Sequence, residues 1–208
     1  MKNTILIFAI IAVCSIFKIQ AQESPNNCNA VKWASQPNLI IETQTHTIGG
    51  FHITTIGNVY RKVFLDVIKY KDINSGNTKS CLRISNNFHN LKKADVEMYQ
   101  VSIDFDEVEG IINFIKKFQS DILNTKPENY TTIKYCSRTG FKLECSYSGC
   151  ISIDEKKGYF MYAEEKCWNG SLYFPNDGAN IVGMSTVYFK QTEFDELLSL
   201  FEQAKVKM

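Results

Sequence analysis

Between Tyr99 and Phe105 apolar and polar positions alternate without a break, so Tyr99, Val101, Ile103 and Phe105 share one face of a strand and Gln100, Ser102 and Asp104 the other. The period then changes to that of a helix, with Val108, Ile111, Ile112, Ile115 and Phe118 on one stripe. Asp106 stands where an N-cap is needed, Glu109 follows three residues later, and Lys116 and Lys117 at the far end complement the helix dipole. The same change of period closes the chain, where a strand from Met184 to Phe189 leads into a helix from about Glu193 to Lys205.

Upstream of each helix the chain is β-like. Leu39 to Glu42, Phe51 to Ile56, Lys62 to Tyr70 and Ser80 to Ser85 are rich in branched and aromatic residues, and Asn74-Ser75-Gly76-Asn77 predicts a hairpin loop between the last two. The stretch from Lys62 to Tyr70 is apolar on both faces, Val63, Leu65 and Val67 against Phe64, Ile68 and Tyr70, which predicts a strand inside its sheet. After a break at Asn124 to Asn129 a second β-rich run follows: Thr131 to Cys136, Phe141 to Tyr147, Cys150 to Asp154, Tyr159 to Ala163 and Leu172 to Phe174. Runs of strands ahead of each helix predict an α+β protein of antiparallel β-meanders, each followed by a helix packed on the sheet; the alternation of a Rossmann fold is missing.

The two halves also match at a constant spacing of 86 positions (101 to 187). Val101 falls on Val187, Ile103 on Phe189, Asp106 on Thr192, and Val108, Ile111, Ile112 and Ile115 on Phe194, Leu197, Leu198 and Phe201; even Cys81 falls on Cys167. Two readings follow, a tandem duplicated β-β-β-α unit or two unrelated halves that share a motif. In either, residues 38–208 form one α+β domain with lobes at 38–126 and 130–208, and the polar stretch 22–37 is an arm anchored by Cys28 and Trp33.

Residues 1–21 read as a signal peptide: one early lysine, Lys2, and an apolar run from Ile5 to Phe17 that Lys18 and Gln20 end before it is long enough to span a bilayer. Cleavage after Ala21 predicts an exported protein with no transmembrane segment. The sequence Lys18-Ile19-Gln20-Ala21-Gln22 resembles the signals of exported proteins from Bacteroidota, a resemblance that implies periplasm, cell envelope or exterior and identifies no activity. Losing Lys2 and Lys18 leaves 21 basic and 22 acidic residues out of the full chain's 23 and 22, so the mature charge is −1 and no basic run suggests nucleic acid.

Export removes Cys14 and leaves Cys28, Cys81, Cys136, Cys145, Cys150 and Cys167. An even count in an oxidising compartment favours disulfides over free thiols, with the pairing open. Strand parity puts Cys145 on the apolar face with Phe141, Leu143 and Tyr147, but Cys136 opposite Ile133 and Tyr135, so a Cys136 to Cys145 cross-strand bond is disfavoured. No Cys-x-x-Cys motif or histidine spacing completes a metal site, and no cofactor motif is present.

Candidate chemistry is sparse. Asp104, Asp106, Glu107 and Glu109 cluster, but at a helix start, where backbone N–H groups favour acids. His46 and His52 flank Gly49-Gly50 and would converge if those glycines turned a hairpin; His89 is the third histidine. Tyr159, Tyr162, Trp168 and Tyr173 are the candidate binding residues, drawn from an aromatic stretch that includes Phe160 and Phe174, and the segment 175–183 is a loop placed to rim a site. Asn129-Tyr130-Thr131 and Asn169-Gly170-Ser171 match the glycosylation pattern. The sequence expects a non-catalytic exported protein that binds a protein, a peptide or a glycan. The alternatives are a small secreted hydrolase built from scattered histidines and carboxylates, and an inhibitor-like module that engages a partner through strand edges.

Overall fold

Strands account for most of the described residues. A computed structural model describes residues 28–56, 59–90, 95–154, 159–175 and 186–208, and the side chains among them outside 52–61, 88–97 and 153–162. After a short helix α1 (Asn29–Ala34) come β1 (Ile41–Ile56), β2 (Val59–Asp72), β3 (Thr78–Asn90) and β4 (Asp95–Ile103), then α2 (Phe105–Lys117) with one π turn (Phe118–Ile122). The second half repeats the plan with β5 (Thr131–Cys136), β6 (Lys142–Asp154), β7 (Tyr159–Tyr173), β8 (Thr186–Lys190) and α3 (Phe194–Lys207). Each half makes a four-stranded antiparallel sheet in sequence order, β1-β2-β3-β4 and β5-β6-β7-β8. The α+β class with a helix after each meander is therefore the observed fold.

Several predicted strands merge. Leu39 to Glu42 and Phe51 to Ile56 are parts of β1, which runs straight through Gly49 and Gly50 and absorbs an extra residue between Thr47 and Gly49 as a bulge. Gly49 serves close approach: a Cβ there would meet Leu200 Cδ2 of α3 at 2.8 Å. Phe141 to Tyr147 and Cys150 to Asp154 likewise join in β6 across a bulge between Gly149 and Ile151. The β2–β3 hairpin lies where the turn signal placed it. Asp72 accepts from Asn74 N at 3.1 Å and from the Ser75 hydroxyl at 2.5 Å, and Gly76 takes φ 73°. β2 is interior, as its two apolar faces predict.

One buried cluster joins both halves, from Phe51, Leu65 and Ile84 of the first sheet to Leu143, Trp168 and Leu172 of the second, with the apolar stripes of α2 and α3 between them. Aromatic rings run through it in a chain: Phe51 to Phe189 (5.3 Å between centroids), Phe189 to Phe194 (5.0 Å), Phe194 to Phe118 (4.9 Å), Phe118 to Trp168 (5.3 Å) and Trp168 to Tyr147 (5.4 Å). Edge-to-face and tilted ring pairs of this kind add about 1 kcal/mol each beyond the area they bury.

The helices lie antiparallel, because Glu109 pairs with Lys205 (2.8 Å) and Lys116 with Glu202 (2.7 Å). Each helix touches the first strand of the other half. Leu200 of α3 rests on Gly49 of β1, and Phe114 of α2 meets Tyr135 of β5 at 6.3 Å. These residues are themselves related by the 86-position spacing (49 to 135, 114 to 200), so the two units pack about a pseudo-twofold relation. The spacing fails in the second and third strands. Ile84 pairs with Leu65 and Val101, and Leu172 pairs with Leu143 and Val187, which makes Ile84 the counterpart of Leu172. Cys81 is thus level with Asn169, two residues from Cys167, and the apparent cysteine match is not a structural one.

Candidate functional site

The residues with the strongest electrostatic coupling meet at the start of α2. The N-cap is Asp104 rather than Asp106, and Glu107 Oε2 returns to Asp104 N at 3.2 Å, one half of a capping box. Asp104 is 7 % exposed and accepts from Asn29 N (3.0 Å), Ala30 N (3.3 Å), Cys28 Sγ (3.2 Å) and Arg138 Nη2 (3.0 Å). Burial works to raise its carboxyl, but the donors from Asn29, Cys28, Arg138 and Ala30 outweigh that and hold it below the usual carboxylate range. Arg138, from the β5–β6 turn, forks onto Asp106 at 2.7 and 2.9 Å, while its backbone N–H donates to Glu107 Oε1 at 2.5 Å. Hydrogen bonding to Arg138 holds the Asp106 carboxyl down as well. These acids bind α1, α2 and the β5–β6 turn together. Their oxygens are committed, so they join elements rather than exchange protons with a substrate.

Of the six candidate cysteines, Cys150 and Cys167 form a disulfide between β6 and β7. It sits beside the β6 bulge, which Asn169 closes: the carboxamide accepts from Ile151 N at 3.0 Å and donates to Ser148 Oγ at 3.1 Å and to Gly149 O at 3.0 Å. Asn169 is 2 % exposed, so in the folded chain this sequon offers no free amide. Cys28 and Cys81 are both fully buried under α1, in a small cluster with Ala30 and Ile68 on the outer face of the first sheet. Cys136 and Cys145 remain apart as thiols, Cys136 exposed across from Lys142 and Cys145 buried across from Ile133. Burial pushes the Cys145 thiol up. The expectation of up to three disulfides therefore finds one bond and one buried couple, with the parity argument against Cys136–Cys145 upheld by the register.

The aromatic candidates divide. Trp168 is a core residue, 1 % exposed, with its indole N–H donating to Thr125 O at 3.1 Å, so it presents no surface to a partner. Strand alternation turned it inward beside Phe118 and Tyr147. Phe174 is buried too. Tyr173 is half-buried, with Lys142 Nζ 4.8 Å from its ring centroid. Tyr159 and Tyr162 lie in β7 opposite Asp154 and Ile151, and their side chains fall outside the described ones. Most of the predicted loop 175–183 lies outside the described residues. His46 and His52 do not converge, because Gly49-Gly50 is strand and not hairpin; both lie along β1, His46 exposed.

The most open feature is one that motif reading missed. β1 is an edge strand, and Glu42, Thr43, Gln44, Thr45, His46 and Thr47 are all exposed. From Thr43 to Ile56 it contains no Asp, Glu, Lys or Arg, whereas the other edge strands carry Asp95 and Glu97 (β4), Lys134 (β5) and Lys190 (β8). β7 extends past β8 from Tyr159 to Trp168, but there it bears exposed Glu164, Glu165 and Lys166. Charges on an open edge deter pairing with another chain. Beside β1 a groove of about 370 Å³ opens against the end of α3, lined by Thr47, Ile48, Glu202, Gln203, Val206 and Lys207. Val206 is 85 % exposed in its wall. The uncharged run was available in the sequence; its position at a sheet edge was not.

Among the described residues no three His, Cys, Asp or Glu side chains are grouped to hold a metal, and no helix is long and apolar enough to cross a membrane. Comparison with known proteins finds no family model that matches the chain, and no curated protein or solved structure significantly similar to it.

Proposed function

We propose that this is a non-catalytic exported protein that recognises another polypeptide by adding an extended segment of it to the open edge of β1. The observation that carries this reading is the contrast among the edges: the others bear charges, and β1 is uncharged over its last fourteen positions, Thr43 to Ile56. An extended partner gains backbone hydrogen bonds from such an edge and takes its specificity from side-chain pockets nearby. The groove against Ile48 and Val206 supplies one apolar seat. A neutral edge selects a partner strand that is itself uncharged and rich in Thr, Ser, Asn or Gln, since an unpaired charge at the junction loses its hydration. The alternative of a secreted hydrolase has less behind it: Asp104 and Glu107, the most buried carboxylates near one another, are occupied by backbone and arginine donors. Export rests on the leader pattern of residues 1–21, and the Cys150–Cys167 bond is compatible with it.

The sequence of β1 supplies its own probe. Thr43-Gln44-Thr45-His46-Thr47 reads nearly the same in either direction, so an antiparallel copy centred on Thr45 sets Thr against Thr and Gln against His with no like charges opposed. A fluorescent peptide of residues 41–51 binds the full-length protein, measured by anisotropy, and Thr45→Lys weakens that binding at least about tenfold, an edge charge costing on the order of 1 kcal/mol or more. Self-association of the protein that Thr45→Lys abolishes counts the same way. A peptide that does not bind, or that binds Thr45→Lys equally well, overturns the proposal.

A further inference from the structure

We infer that Cys28 and Cys81 are a second disulfide site, a redox latch that fixes α1 to the outer face of the first sheet. Cys81 sits in the interior strand β3, in register with Ile68 of β2, and Cys28 is the N-cap of α1. Both are fully buried in a cluster apart from the main core, whose other members are Ala30, Ile68, Val31 and Tyr70. The two thiols are neighbours in this one cluster, each perturbing the titration of the other. α1 has six residues, too few to persist as an isolated helix, and it rests on this cluster and on Asp104.

Asp104 also makes the oxidised state acceptable. Joining the sulfurs removes the Cys28 S–H that donates to it, yet Asn29 N, Ala30 N and Arg138 still satisfy the carboxylate. The sulfurs are unequal in position. Cys28 caps the short helix α1 and reaches a donor when α1 undocks, whereas Cys81 is held in the interior strand β3. Cys81 is therefore the attacking sulfur. The co-reactant is a disulfide donor, a protein or small-molecule disulfide of the export compartment. With α1 undocked, Cys28 exchanges with the donor, forming a mixed disulfide and releasing one donor thiol. On docking, the Cys81 thiolate attacks Cys28 Sγ and expels the second donor sulfur. Two electrons and two protons pass to the donor, and one S–S bond replaces two S–H bonds.

Full-length protein equilibrated in a buffer of oxidised and reduced glutathione tests the assignment. Digestion without reduction yields one linked pair of peptides containing Cys28 and Cys81, and denatured, unreduced protein alkylates at Cys136 and Cys145 but at neither Cys28 nor Cys81. The Cys28→Ser variant melts about 10 °C lower and is cut by protease N-terminal to β1 at least tenfold faster, since the latch closes a long loop in the unfolded chain. Alkylation of both Cys28 and Cys81 in denatured, unreduced protein overturns the inference, as does a linked peptide that joins either of them to Cys136 or Cys145. The peptide readout needs no variant to fold, and it is independent of whether the edge of β1 binds anything.

Discussion

A single carboxylate shows how much long-range order one residue can impose. Asp104 draws on donors from α1 and from Arg138, more than thirty residues away in either direction, and Arg138 is itself half-exposed. The folded state holds this carboxyl below its usual range, so the unfolded chain binds the proton first. The stabilisation is fully present above the unfolded pKa of about 3.9 and is lost as pH falls through the folded value. Asp104→Asn keeps an acceptor but removes the charge. It is expected to cost about 2 kcal/mol at pH 7, little of it from the exposed face of Arg138, and to flatten the loss of stability between pH 5 and pH 3. Urea titrations of both proteins at the two pH values check this; an equal acid-induced loss in the variant would remove Asp104 from the account. Neighbouring acids hid the right cap from the sequence, since Asp104, Asp106 and Glu107 all suit a helix start, and only the distant donors choose Asp104.

At the scale of elements, what was legible and what was not separate by range. The alternation at Tyr99 to Ile103, the two apolar faces of β2 and the stripe of α2 are local periodicities, and each became the element it predicts. The course of β1 depends on α3, some 150 residues later. Gly49-Gly50 has the composition of a turn, and only Leu200 lying on it explains why the strand needs a residue without a side chain. Trp168 was misread for the same reason, because aromatic content marks a strand without saying which face is covered. β7 and β8 make the element-scale prediction. Gly170 pairs with Phe189, whose ring covers it so closely that a methyl group would overlap the ring atoms. Gly170→Ala should therefore destabilise by about 2 kcal/mol through overpacking, although alanine usually suits a strand better than glycine. A shift of the urea midpoint to lower concentration, with unchanged slope, is the expected reading; no shift would mean that Phe189 moves aside without cost.

On the scale of the whole molecule the halves are not independent. The ring chain from Phe51 to Tyr147 passes through both sheets, and the ion pairs of Glu109 and Lys116 tie the helices together. Circular dichroism and tryptophan fluorescence should therefore report one coincident unfolding transition. Trp33 lies in α1 and Trp168 in the second sheet, so the fluorescence samples both halves. Two separated transitions would show that the shared core does not couple the lobes.

The exchange of helices between the halves makes each sheet depend on the other. Leu200 of α3 covers the Gly49 backbone of β1, so a truncation that spared every strand but clipped α3 would leave the first sheet half-dressed and prone to stick to its neighbours.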